Sequence, residues 1–264
     1  MTDFSEFIKR GLPLNNVLII DSHSHMGRFF GLTVPVFSAE RMLETMNTLG
    51  IDIACISHHS AITNDYSYGN DQVIELLSKY PERFLGYCTV NPHYPEDIKD
   101  QLLSRLVVKG MMGIKIHPSI HQVPIDYRNY HRAYEIAEEK CCPVLVHTWG
   151  KAAVSELCKV AGMYPKATFI MGHAGGDIRA MEDAIEVVNK RSNVYADLAL
   201  SRTFEGNVEW LVKEMGSHKV LYASDMPLID PRPALGRVAM ANMPEEDIRN
   251  ILGLNMKKLL SKLI

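Results

Sequence analysis

V-L-I-I-D-S-H-S-H, residues 17–25, runs from four apolar residues into a carboxylate and two histidines spaced by one. Side chains two apart on a strand share a face. Read as a strand, the stretch projects Asp21, His23 and His25 together, at the mouth of whatever it lines. Seven more short apolar runs, rich in β-branched residues, follow at 51–58, 83–90, 112–118, 142–148, 168–174, 193–199 and 220–227. Near-continuous apolar runs suit strands buried on both faces, as in parallel sheets.

Segments of helical period separate these runs. S-A-E-R-M-L-E-T-M-N-T-L-G (38–50) has Ser38 as N-cap and Gly50 as stop. The segment 71–81 ends at a proline, and 95–110 opens on proline and acids and closes on Lys-Gly. Further helices are expected at 127–140, 153–163, 177–191, 204–216 and 233–242, with a last one over 244–260. Eight strand–helix repeats, spaced by roughly 25–35 residues, predict an α/β protein. The fold expected is a (β/α)8 TIM barrel with an extra C-terminal helix, one domain over 1–264. An open doubly wound sheet is the runner-up. The phosphate-cradling patterns G-x-G-x-x-G after the first strand and G-x-x-x-x-G-K-[ST] are absent.

A chain of 264 residues, 47% hydrophobic, can bury one large core. Its net charge of -3 and the lack of a basic stripe exclude a nucleic-acid partner. No apolar run approaches the roughly 18 residues that span a membrane, and the opening stretch lacks a signal-peptide core. Five cysteines without a C-x-x-C suit reduced thiols, so a cytoplasmic protein is expected.

His23, His25, His117, His147 and His173 fall at the C-terminal ends of strands 1, 4, 5 and 6. Asp225 falls at that end of strand 8, and Lys115 shares a face with His117 on strand 4. In a barrel these ends form one rim, where chemistry is built. A lone strand histidine is usually a hydrogen-bonded core residue. Five imidazoles, a lysine and an aspartate on one rim are costly to bury without compensation. A divalent cation provides it, with His23, His25, His147 and Asp225 as candidate ligands. Asp21 is expected to orient a ligand histidine or cap the barrel mouth. Gly172, Gly175 and Gly176 would let the backbone turn tightly around His173. His58, His59, His93, His121, His131 and His218 read as surface or structural.

D-S-H-S-H, H-T-W-G, G-H-A-G-G, S-D-M-P and the closing N-I-L-G-L-N-M-K-K-L-L, in that order, resemble the amidohydrolase superfamily. The resemblance is strongest to its amidohydrolase-related branch, which includes aminocarboxymuconate-semialdehyde decarboxylase and its relatives. It runs from strand 1 to the last helix. It implies a metal-bearing (β/α)8 barrel, with His23, His25, His147 and Asp225 as ligands and Zn2+ as the usual ion. It also implies that His173 orients or deprotonates the reacting water. The branch is mostly mononuclear, so one ion is expected, and a second if Lys115 is carboxylated. G-I-K-I-H-P on strand 4 departs from the decarboxylase members. There Lys115 ranks first as a substrate anchor, ahead of a metal-bridging carbamate or an ion-pair partner. His117 stands between support of a ligand and a substrate contact. Barrels of this branch often pair, which admits a homodimer.

Zinc lowers the pKa of water from 15.7 to about 7, and Asp225 or His173 would take the proton. The expected reaction is hydrolysis of an amide, lactone or related carbonyl substrate. Non-oxidative decarboxylation of a small carboxylic acid is the alternative, and a barrel that only binds a ligand is the third reading. The loop 26–37 carries Arg28 and aromatics, the loop 58–70 carries two tyrosines, Trp149 follows His147, and Arg202 follows strand 7. Arg28, Lys115 and Arg202 suit a small anionic substrate. Lys115, Arg28, His117 and Trp149 are the candidate substrate contacts.

Overall fold

The computed structural model describes residues 4–29, 33 and 37–261. Eight strands form one parallel sheet in sequence order. They are β1 (Ile20–Met26), β2 (Ile53–His58), β3 (Phe84–Thr89), β4 (Met111–Ile116), β5 (Pro143–Val146), β6 (Thr168–Met171), β7 (Val194–Asp197) and β8 (Val220–Leu221). The architecture is the expected (β/α)8 barrel with a C-terminal helical segment. Helices pack outside it: α1 (Phe4–Lys9), α2 (Ala39–Leu49), α3 (His59–Thr63), α4 (Tyr66–Lys79), α5 (Pro95–Arg105), α6 (Pro118–His121) and α7 (His131–Lys140). They continue with α8 (Lys151–Met163), α9 (Ile178–Lys190), α10 (Asn207–Met215), α11 (Pro231–Ala239), α12 (Glu245–Arg249) and α13 (Asn255–Leu260).

The apolar runs supply two layers. Ile20, Cys55, Tyr87, Met112, Leu145, Ile170 and Leu221 fill the barrel interior. Their strand neighbours, such as Met111, Val144 and Phe169, face outward onto the helices. Alternation along each strand thus gives a plugged floor inside and a helix-covered wall outside.

Three details depart from the sequence expectation. The helix expected from residue 71 starts at Tyr66, because the Asp65 carboxylate accepts the Tyr68 N–H at 2.9 Å and caps it earlier. The terminal helix is α12 and α13 joined by a π-helical stretch at Asn250–Leu254. The run 220–227 yields only a two-residue strand, paired to β7 through Ala196↔Val220 and Asp197↔Leu221. Beyond it the chain still reaches β1. Ser22 N–H donates to Tyr222 O (3.0 Å), Asp225 N–H to His23 O (2.8 Å) and His25 N–H to Met226 O (2.7 Å). These bonds complete the ring, and they place Asp225 against the two histidines of β1.

Candidate metal centre

β1 is irregular where it matters. Its register with β2 shifts between Asp21 and Ser24, so three steps on β1 oppose two on β2. Bulges of this kind re-aim side chains beside active sites. His23 and His25 still lie ring beside ring, with centroids 5.1 Å apart. His25 Nε2 is 3.0 Å from Asp225 Oδ1, and His23 Nε2 is 3.7 Å from the same oxygen. The three ligand-type atoms lie within 4.8 Å of one another, and all three residues are buried. Asp225 takes a left-handed backbone conformation, φ 60°. A short polar side chain tolerates this best, and such strain gathers at functional sites.

Both ring nitrogens of His23 are engaged. Its Nδ1 lies 2.9 Å from Asp197 Oδ2 on β7, and its Nε2 lies 2.7 Å from Lys115 Nζ on β4. Lys115 is fully buried. Burial pulls its ammonium down to about 8, against the pull of Asp225 and Asp197. Burial, then the neighbouring Lys115 and imidazoles, drives His23 well below the usual histidine range, so its ring is neutral. For Asp225, burial acts upward but is outweighed by the hydrogen bond from His25 and by nearby positive charge, holding the carboxyl at about 2.

His147 follows β5 and His173 follows β6. His147 Nδ1 is 3.0 Å from His173 Nε2, and the His147 ring stacks on His117 at 3.8 Å between centroids. His147 is thus turned toward His173. Among the described residues it lies outside the groups whose ligand atoms converge, which are His23, His25 and Asp225, and His23, His173 and Asp197. His173 Nδ1 donates to Ala199 O at 2.8 Å. The glycines around it act differently from the expectation. Gly175 and Gly176 have positive φ, but so do His173 (61°) and Ala174 (46°), so the turn falls on the histidine itself. Gly172 provides room instead: a Cβ there would sit 2.8 Å from Val146 O.

Among the candidate substrate contacts, His117 is nearly buried and Trp149 is partly exposed, 37%. A Cβ on Gly176 would meet the Trp149 ring at 2.4 Å, so that indole lies directly on the glycine backbone. The Arg202 guanidinium lies 5.8 Å over the same ring. Arg28 is exposed and sits 5.0 Å over Phe37, while Phe30 lies outside the described residues.

Two residues of the site were passed over in the sequence. Asp197 ends β7, and the strand-end rule that picked out Asp225 also applies to N-V-Y-A-D. His59, read as surface or structural, is buried and stacks on His25 at 4.7 Å. Its Nδ1 donates to Gly27 O at 2.8 Å. Among the described residues, its Nε2 is buried without a partner.

Two imidazole nitrogens and a carboxylate oxygen form a donor set suited to a borderline divalent ion. The pocket already places the Lys115 ammonium on a lone pair of His23, so it accommodates positive charge. His23, His25 and Asp225 could hold such an ion.

The sequence pattern of the family described as Amidohydrolase matches residues 20–262. The sequence has no significant match among curated proteins. Several solved structures share its architecture. 5-Carboxyvanillate decarboxylase from Novosphingobium aromaticivorans, solved with manganese, superposes with TM-score 0.77 at 16% identity, covering 94% of this chain and 97% of that one. 2,6-Dihydroxybenzoate decarboxylase from Rhizobium gives 0.74 at 15% identity, over 94% and 99%. 4-Oxalomesaconate hydratase from Rhodopseudomonas palustris gives 0.70 at 18% identity, over 93% and 96%. At these identities the likeness is one of fold.

Proposed function

Because the chain belongs to the amidohydrolase family, we propose that it is a metal-dependent hydrolase of a small, anionic carbonyl substrate, an amide, a lactone or a related compound. The observation that carries this reading is the convergence of His23, His25 and Asp225 on one buried point. His23, His25, His147 and Asp225 hold one divalent ion, zinc by donor type. When bound, such an ion supplies Lewis acidity, which polarises a carbonyl and acidifies water. The chain's own residues do the rest. Asp225, ionised at neutral pH, accepts the proton of the attacking water and passes it to the leaving group. His173, held by Ala199 O, would orient that water through its Nε2, which here pairs with His147 Nδ1 at 3.0 Å. Trp149, His117 and Arg28 border the substrate, and Lys115 adds its charge on the Nε2 side of His23.

Hydrolysis is favoured over proton delivery to carbon by the state of the rim. Burial lowers the pKa values of His23, His25, His117 and His147, and Asp225 is ionised. At neutral pH none of these groups carries an acidic proton to give. The ammonium of Lys115, which could give one, is buried and committed to His23 Nε2 at 2.7 Å. Decarboxylation stays as the second reading because two of the similar folds are decarboxylases of aromatic acids.

The test is turnover of zinc- or manganese-loaded protein in 18O-labelled water on ester, lactone, amide and hydroxybenzoate panels. Product carrying 18O is expected. CO2 release without label in the organic product would establish the decarboxylase reading instead. Asp225→Asn should lower turnover by roughly 10²–10⁴-fold, the usual worth of general-base catalysis, with the thermal midpoint of the metal-free protein retained. Near-normal activity in that variant removes Asp225 from proton transfer.

A further inference from the structure

Asp197 lies at the C-terminal end of β7 and is fully buried. Its two oxygens have separate tasks. Oδ1 accepts two backbone N–H groups, from His173 at 2.7 Å and from Ala199 at 3.1 Å. Oδ2 lies 2.9 Å from His23 Nδ1. A third contact comes from the same segment, where Ala199 O accepts His173 Nδ1–H at 2.8 Å. Three residues of chain therefore grip the strand-1 and strand-6 histidines together.

The donors and acceptors leave one assignment for His23. Lys115 Nζ carries only donors when charged, so His23 Nε2 must accept from it. Nδ1 then carries the ring hydrogen, and Asp197 Oδ2 accepts it. His25 is held differently. Its Nδ1 partner is the Ser57 hydroxyl, at 2.9 Å, which can donate or accept. The Ser57 hydroxyl sets no tautomer of His25, whose Nε2 faces Asp225 Oδ1 at 3.0 Å, whereas Asp197 confines His23 to Nδ1–H.

We propose that Asp197 is a positioning residue for the metal centre: it locks His23 in the Nδ1–H tautomer, which keeps on Nε2 an unprotonated lone pair that Lys115 engages here and a bound ion would take in its place, and it fixes the left-handed turn that carries His173. The inference rests on the proposed role of His23 as a ligand. A hydrogen-bonded carboxylate behind a ligating imidazole raises its basicity and fixes its ring, and losing such a partner typically weakens metal binding roughly 10–100-fold.

Asp197→Asn separates the two tasks. The backbone N–H groups of His173 and Ala199 demand an acceptor, so the amide must place its oxygen there and its NH2 toward His23. That NH2 donates to Nδ1, so the ring hydrogen belongs on Nε2, where it blocks the ligand lone pair and faces Lys115 Nζ, which then accepts it as a neutral amine. The experiment is Zn2+ affinity by competition with a chromophoric chelator, alongside 1H–15N imidazole spectra of the metal-free protein. Wild type should show His23 as Nδ1–H and bind Zn2+. Asp197→Asn should show His23 as Nε2–H, bind Zn2+ roughly 10–100-fold more weakly, and melt close to wild type. Unchanged affinity, or weaker affinity with the Nδ1–H tautomer intact, overturns the role of Asp197. Should the variant not fold, wild-type spectra decide alone, since Nε2–H at His23 overturns the tautomer lock. Failure of wild type to bind Zn2+ is a different result and overturns the metal reading itself.

Discussion

Asp21 is the carboxylate of D-S-H-S-H that meets no imidazole ring. It accepts the N–H groups of His23 at 3.2 Å and Ser224 at 3.1 Å and hydrogen-bonds the Ser224 hydroxyl, so it ties β1 to the segment that closes the ring. Burial raises its pKa from 3.8 to about 7 in spite of those bonds. The folded state therefore keeps a proton that the unfolded chain releases near pH 4. The stability linked to that proton is fully present below about pH 4 and is lost as pH rises through about 7. A shift of this size corresponds to roughly 4 kcal/mol across the window. Asp21→Asn removes the titration while keeping an oxygen for the two N–H groups and an NH2 for the hydroxyl. Urea unfolding of both proteins from pH 4.5 to 8 should show the variant gaining steadily on wild type by a few kcal/mol. A constant gap would mean that Asp21 is ionised throughout in the fold.

Elements were legible where their signals are local. α2 is bounded as read, with Ser38 Oγ accepting the Arg41 N–H and Gly50 at φ 82° closing the last turn onto Met46 O. The strands were legible because apolar β-branched runs have few other uses. α3 and α6 were not, since five and four residues show no helical period. Their caps are also unusual. His58 Nδ1 accepts the Ser60 N–H at 3.0 Å, and His117 Nδ1 accepts the Ile120 N–H at 3.4 Å, where cap rules look for Ser, Thr, Asp or Asn. The place of His59 beside His25 follows from α3, which explains why it escaped notice. The π-helical joint before α13 has a cause in packing. A Cβ on Gly253 would lie 2.4 Å from Leu18 O, so the last helical segment crosses the foot of β1 at a glycine. Alanine normally stabilises a helix interior by about 1 kcal/mol over glycine. Gly253→Ala should instead destabilise by about 1–3 kcal/mol, the range for forced overpacking, read as a lower urea midpoint. A raised midpoint would show that the contact yields easily.

At the scale of the whole molecule, a barrel gathers strand ends that the sequence holds far apart. His23 and Asp225 are 202 positions apart in number, yet Asp225 N–H donates to His23 O. Counting eight repeats was enough to foresee that meeting. The pairing of each ring nitrogen was not legible, because Asp197, Lys115 and Ser57 reach the histidines from three other strands, and no local pattern records those contacts. The closing seam has its own physics. β8 is two residues long, and ring closure depends on a few backbone bonds between β1 and residues 222–226. The proposed ligands stand on both sides of that seam, His23 and His25 on β1 and Asp225 on the returning segment. A divalent ion there joins the two edges, and the unfolded chain offers no preformed counterpart. Linkage then gives about 2.7 kcal/mol of added stability at 100 times the Kd. For a chain of this size that corresponds to a rise of roughly 5–10 °C in thermal midpoint. Zn2+ added to chelator-treated protein should produce the rise, EDTA should reverse it, and Asp225→Asn should lose most of it, because that variant weakens the ligand on one side of the seam. If wild type and Asp225→Asn gain equally, the ion binds elsewhere and does not join the two edges of the seam.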